Sequence, residues 1–283
     1  MELLVELANK KHMIDNVDGI ILPLENYSVE SILSYSMFEI KKIIKEVPYK
    51  VFIKLNRNLW NEDIPNIKKI LIDLDNLNIA GIFFYDLAIL QLKKELHLKT
   101  PLIWNQTHMV NNWKSSNYYF EKGVEYALLG KELTLEEILE INKKSKIKCM
   151  VEVVSKPSIA FSRRKLLSNF YQDLDKPKEA NLIITEKVSN LTIDVSENIH
   201  GTSFFSSVIT NGTSIIKNLY EANVPFIIMR EYGIDCFQEL VNDTKEYISN
   251  SCHDENYVVK YQKLGDNTNF FFKKTIYRVK KNG

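Results

Sequence analysis

The segment KVFIKLN (50–56), followed by IPNIKKILIDLDNLN (64–78), decides how the rest of the chain is read. The first is a run of β-formers that stays apolar on nearly every residue, as a strand buried on both faces must. The second repeats its apolar residues at helical spacing and so predicts an amphipathic helix. Working outward, the same alternation recurs. ELLVEL (2–7) precedes a short helical piece, GIILP (19–23) precedes SVESILSYSMFEIKKIIKEV, and IAGIFFYD (79–86) precedes LAILQLKKEL. PLIWNQ (101–106) is followed by NNWKSSNYYFEKG, YALLGKE (126–132) by TLEEILEINKKS, KIKCMVEVV (146–154) by FSRRKLLSNF, and VPFIIMRE (224–231) by DCFQELVNDTKEYIS. Eight strand-then-helix units with buried strands predict a TIM-like (β/α)8 parallel barrel. A doubly wound open sheet is the alternative, but no glycine-rich phosphate-binding motif follows any strand.

The eighth unit does not follow the seventh directly. Residues 178–222 hold NLIITEK, LTIDVSE, GTSFFSS and a short helix around SIIKNLYEA, which predict a β-hairpin insertion before the last strand, serving as a packing flap or as a lid over substrate. The expected organisation is a barrel domain over 1–250 and a β-rich C-terminal tail over 251–283 that packs on the barrel.

The chain has 283 residues, of which 45% are hydrophobic, enough for a sizeable core. Lys plus Arg is 37 against 36 for Asp plus Glu, so the net charge of +1 gives no general attraction to nucleic acid or anionic lipid, and any such contact must come from a local patch. No apolar run approaches the length of a membrane span, and MELLVELANKK does not read as a secretory leader, so a cytoplasmic protein is expected. Cys149, Cys236 and Cys252 are far apart and form no C-x-x-C pair, which predicts buried thiols rather than disulfides or a zinc knuckle.

In a parallel barrel the ligand meets the carboxyl ends of the strands. The polar residues there include Glu6, Asn56, Arg57, Tyr85, Asn105, Gln106, Thr107, Lys131, Glu132, Glu152 and Arg230. They are hydrogen-bond formers rather than metal ligands, and His108 has no second histidine or cysteine at ligand spacing. Glu132 and Glu152, at neighbouring strand ends, are read either as an acid/base pair or as ion-pair partners of Lys131 and Arg163. The stretch FSRRKLLSNF (161–170) predicts a helix starting after Ser162 with Arg163, Arg164 and Lys165 in its first turn. Cations there oppose the helix dipole, which suits either an anionic ligand in the mouth or neutralisation by Glu132, Glu152 or Glu6. The FFFKKTIYRVKK run (270–281) combines aromatics and cations as single-stranded RNA binders do, or covers the barrel as a strand with its lysines in water.

Four motifs carry a resemblance. PLIWNQTHMVNN (101–112), EYALLGKELTLEEI (125–138), VEVVSKPSIAFSRRKLLSNF (151–170) and NTNFFFKKTIYRV (267–279) together resemble the collagenase-like U-32 peptidase family, in its shorter bacterial branch. Ser162, Arg164, Leu166 and Asn169 match its signature, and Glu132 is retained, while Gly130 and Lys131 stand where serine or alanine and arginine are usual. The resemblance implies a barrel-type catalytic domain and a role, as enzyme or subunit, in tRNA modification: 5-hydroxyuridine formation at the wobble position. It further implies prephenate or a similar dicarboxylate as cosubstrate, tRNA as partner, and a heteromer with a longer family member. Within it Asn105, Gln106, Glu132 and Glu152 are the expected reacting-group contacts. Arg163, Arg164, Lys165, Asn56, Thr107, Asn111, Lys131 and Arg230 are the expected anion and substrate binders. A collagenase-like protease and a non-catalytic partner of a longer relative are the alternatives. The signature His-Gly falls on Val154 and Ser155, and its cysteines on Ser158 and Lys165, so no metal or iron-sulfur cluster is expected.

Overall fold

The computed structural model describes residues 1–10, 14–179, 181–187, 190, 192–249, 254–265 and 270–272. The strands in chain order are β1 Glu2–Glu6, β2 Gly19–Pro23, β3 Lys50–Leu55, β4 Gly81–Phe84, β5 Leu102–Trp104, β6 Tyr126–Leu128 and β7 Lys148–Ser155. They continue with β8 Ser158–Ser162, β9 Asn181–Thr185, β10 Thr192–Asn198, β11 Gly201–Ser206, β12 Thr210–Asn211 and β13 Phe226–Arg230. Strands β1 to β7 and β13 all pair in parallel, and the β6–β7 and β7–β13 pairings close the ring, giving an eight-stranded TIM-like barrel.

Around it lie α1 Met37–Glu46, α2 Ile64–Asp75, α3 Leu87–Glu95, α4 Trp113–Glu121 and α5 Leu135–Lys144. The remaining helices are α6 Leu166–Asp173, α7 Ile216–Glu221, α8 Phe237–Ser249 and α9 Glu255–Tyr261. Local chemistry sets several starts. Ser36 and Glu39 form a reciprocal capping box on α1, Thr134 and Glu137 another on α5, and Asp86 and Asn112 cap α3 and α4. Between strands and helices lies the larger apolar layer, which includes Ile53, Leu71, Trp104 and Met229. Inside the barrel is a second layer of Leu4, Ile21, Phe52, Phe83, Ile103, Leu128, Met150 and Ile228. Gly81 lies beneath it: a Cβ there would come 2.6 Å from Cδ1 of Ile103, so the tapering interior requires the missing side chain.

Three features differ from the sequence reading. After β1 the described part of the connection to β2 holds no helix. The excursion is larger than 178–222 and begins at β8: β8, β11, β10 and β9 form a four-stranded antiparallel sheet over the barrel rim. Helix α6 packs on that sheet, with Leu167 and Tyr171 against Val195. The helix that returns the chain to β13 is instead α7, whose Ile216 and Leu219 join the apolar layer between strands and helices. The third feature is the tail. Its described start is the helix α9, in which Tyr257 stacks on Tyr247, Tyr261 packs one turn on against Tyr257, and Asp254 caps the N-terminus. Phe271 is buried in the barrel-helix layer and its carbonyl accepts from Leu135 N at 2.9 Å. Most of FFFKKTIYRVKK, from 273 on, lies outside the described residues.

Candidate functional site at the barrel mouth

Side chains two residues apart on a strand face the same side. Two residues beyond Leu4, Phe52, Ile103, Met150 and Ile228 come Glu6, Lys54, Asn105, Glu152 and Arg230. The interior therefore changes from apolar to ionic in one step as it reaches the mouth. The charges alternate from Glu152 on β7 to Arg230 on β13 and Glu6 on β1, and then, across β2, to Lys54 on β3. Lys54 Nζ lies 3.2 Å from both carboxylate oxygens of Glu6, and Arg230 Nη1 lies 2.9 Å from Glu6 Oε2. Arg230 Nε donates to Glu152 Oε2 at 2.7 Å, and Lys131 Nζ stands 3.1 Å from Glu152 Oε1. Ser31 Oγ donates to Glu6 at 2.9 Å and accepts from Lys54 at 2.7 Å, and Ser155 Oγ donates to Glu152 at 2.5 Å.

Three cations thus share two carboxylates, and every member except Lys131 is at most 14% exposed. Burial works against the ionised form of Glu152, but Arg230 and Lys131 outweigh it and hold its carboxyl well below the ordinary range. Glu6 is lowered in the same way, burial being overcome by Arg230 and then Lys54. Burial and the Arg230 charge bring Lys54 down to about 8 despite Glu6. Both carboxylates are favoured as anions by these cations, and Glu152 is engaged as the ion-pair partner of Arg230 and Lys131.

Above this floor open two clefts. One, of about 420 Å³, is polar and is lined by Asn56, Arg57, Tyr85, His108, Arg163 and His200 among others. The other, of about 460 Å³, is more apolar, with Asn111, Lys131, Glu132, Ile159, Val208 and Phe270 in its wall. Glu30, Thr107, His108 and Ile159 line both. A space of about 20 Å³, room for one water, lies between Glu6, Lys131 and Arg230.

The expected site residues separate into groups. Lys131, Arg230 and Glu152 belong to the charged floor, while Glu132 is exposed at the edge of the apolar cleft, so the two glutamates do not pair and the partner of Glu152 is Arg230 rather than Arg163. Asn105 is buried, and its amide makes no hydrogen bond to a described residue. Gln106 is turned away: its amide donates to the Tyr85 carbonyl at 2.6 Å and accepts from Trp104 Nε1 at 2.9 Å and Tyr119 OH at 3.3 Å. Asn56 holds both the N–H and the carbonyl of Val29 at 2.9 Å. Asn111 donates to the His108 carbonyl at 2.6 Å, and a Cβ on Gly130 would meet its Oδ1 at 2.1 Å, which explains glycine at that position.

The cationic turn does not open a helix. Arg163 and Arg164 lie before α6 and Lys165 is its N-cap. The α6 N-terminus is occupied from within the protein by Glu197 of β10, which accepts from Leu167 N at 2.8 Å and Ser168 N at 3.2 Å, so no ligand anion is needed there. Arg163 stacks on the Trp60 ring at 3.9 Å and reaches the polar cleft, whereas Arg164 and Lys165 are exposed and line neither cleft. Lys54, Glu30 and His200 were missed by sequence reasoning. Lys54 had a signal, as a lysine in phase with Phe52 within an apolar strand. His200 had none, since the β10–β11 turn brings it over the mouth beside Asn26, 3.2 Å away.

The positions of the family's histidine, glycine and cysteines do not fit a thiolate-held cluster. Val154 is core, Ser155 is bound to Glu152, the Ser158 hydroxyl is enclosed, and Lys165 is exposed. Cys149 faces the barrel-helix layer, where burial pushes its thiol up to about 12. Among the described residues no group of three or more His, Cys, Asp or Glu is gathered as metal ligands, and no helix is long and apolar enough to cross a membrane.

The chain is 23% identical over 260 residues to tRNA hydroxylation protein P2 of Bacillus subtilis, covering 81% of each. It is 25% identical over 145 residues to tRNA hydroxylation protein P1 of the same organism, covering 51% of this chain and 33% of that one. The solved structure of the U32 peptidase Mk0906 aligns with a TM-score of 0.46 at 16% identity, covering 62% of this chain and 75% of that one. The sequence matches the profile of Peptidase family U32 over residues 15–229, most of its length, and the chain belongs to that family.

Proposed function

We propose that this protein takes part in tRNA modification, in the formation of 5-hydroxyuridine at the wobble position, with its barrel mouth as the site. The observation that carries the reading is the charged floor beneath two clefts of unlike polarity. The polar cleft is lined by Arg163, His108 and His200 and by Arg57, itself paired with Asp63 at 2.7 Å, groups that suit a nucleotide and its phosphate. The apolar cleft has the Lys131 ammonium at one side, which suits a small carboxylate-bearing cosubstrate such as prephenate. Arg163, Arg164 and Lys165, consecutive and exposed, supply a local basic patch on a chain of net charge +1.

The relatives named for tRNA hydroxylation support this reading. That two such proteins occur in one organism supports work alongside a second, longer family member. Among the described residues no serine or cysteine of the mouth is hydrogen-bonded to a histidine: Ser155 is bound to Glu152 and His200 to Asn26. The test is nucleoside mass spectrometry of tRNA from a strain deleted for this gene and free of redundant pathways. Wobble 5-hydroxyuridine is expected to disappear and to return with the gene, and an unchanged nucleoside profile would refute the proposal.

A further inference from the structure

Glu30 is held in an unusual way. Its backbone has φ 57°, the left-handed region that a glutamate adopts only under constraint. The constraint comes from its neighbours. Asn56 grips both backbone polar groups of Val29, and Ser31 Oγ is tied to Glu6 and Lys54 in the charged floor. Residues 29 and 31 are thus pinned to barrel strands, and the side chain between them lines both large clefts and the small water-sized space as well.

The Glu30 carboxylate makes no hydrogen bond or ion pair with a described residue, although its charge is felt by Lys54 and Arg230. The carboxylate is half-buried, sits in a strained backbone that glycine would adopt freely, and acts on Lys54 and Arg230 through space rather than by direct contact. Its position at the junction of the clefts is where a bound ligand would meet it.

We propose that Glu30 is the mouth's ligand-contacting acceptor, and that it recognises the imide N–H of an unstacked uracil. This deepens the tRNA reading and rests on it. A carboxylate accepts from the N3–H of uracil, whereas cytosine presents a lone pair at N3, which a carboxylate repels. A base taken out of its stack into a pocket is read along this edge. Lys131, Arg57 and Arg163 in the cleft walls are donors only, and of the two carboxylates that line the large clefts, Glu30 and Glu132, only Glu30 reaches all three spaces.

The test uses the full-length protein, two anticodon stem-loop RNAs differing only in uridine or cytidine at the wobble position, and the variants Glu30→Gly and Glu30→Gln. Wild type is expected to prefer the uridine RNA by about tenfold, the factor that one charge-assisted hydrogen bond contributes. Glu30→Gly is expected to lose that preference, binding the uridine RNA more weakly and the cytidine RNA no worse than wild type does, with a Tm no lower than wild type because the strained φ is relieved. Glu30→Gln, which keeps an acceptor oxygen without the charge, is expected to fall between. Preference retained by Glu30→Gly overturns the inference alone. Wild type that binds neither RNA, from a gene whose deletion leaves tRNA unchanged, overturns the tRNA reading and this inference with it. A Tm of Glu30→Gly well below wild type would make Glu30 a structural residue, also against the proposal.

Discussion

At the scale of single residues, Lys54 and its partners show what one polar position does inside a barrel. A lone ammonium in that interior would be costly, and it is tolerated because Glu6 and Ser31 satisfy it and Glu6 is itself shared with Arg230. Such a network is expected to resist removal of a single member far more than its net contribution suggests. Glu152→Gln leaves Arg230 and Lys131 short of a counter-charge, and a loss of about 3–5 kcal/mol is expected, read from urea unfolding. Arg163→Ala removes a guanidinium that lies on exposed Trp60. It should cost under about 1 kcal/mol in stability, because the stack is open to solvent, while weakening RNA binding.

At the scale of elements, the rim sheet is fastened through Glu197. Its side chain is 1% exposed, accepts from the first amides of α6 and pairs with Lys178 at 2.7 Å. Burial raises its pKa, but the hydrogen bonds from Lys178 and Ser168 prevail and bring it to about 2. Glu197→Ala should therefore cost about 1–3 kcal/mol and speed hydrogen exchange at Leu167 and Ser168 while leaving the barrel strands protected. In the barrel itself, Gly81→Ala forces Ile103 to shift and is expected to cost about 1–3 kcal/mol by overpacking, measurable in the same titration.

At the scale of the whole molecule, the lowered carboxyls set the response to acid. Glu6, Glu152, Glu197 and Asp194 all have folded pKa values below their unfolded ones, so the unfolded chain binds more protons as pH falls. Their stabilisation is complete above the unfolded carboxyl range, about 4, and is lost as pH drops through it toward the folded values. His200, lowered first by burial and then by Arg57, adds a shallower decline that begins below its ordinary pKa near 6.5. Urea midpoints should fall slightly between about pH 7 and 5 and steeply below about 4. Glu152→Gln should flatten the steep part. If the three cations Arg163, Arg164 and Lys165 each meet one phosphate, RNA affinity should depend only moderately on salt: three contacts at about −0.7 each predict a log–log slope near −2.

The sequence by itself determined the barrel. Buried strands must be apolar throughout and amphipathic helices must repeat at their own period, so eight such units announced a closed parallel sheet whatever their partners in space. It also named Arg230, Glu152 and Lys131, because strand ends can be counted along the chain. Only the tertiary structure decided which of them meet. Closure of the ring placed Lys54 beside Glu6 and Glu6 beside Arg230, although these residues are far apart in sequence. The rim sheet supplied its own carboxylate to α6 and carried His200 over the mouth. The left-handed turn at Glu30 arises from Asn56 and Ser31 pulling on its neighbours. Pairing, charge compensation and strain are properties of proximity, and proximity between distant segments is fixed by how the barrel closes rather than by any local spacing.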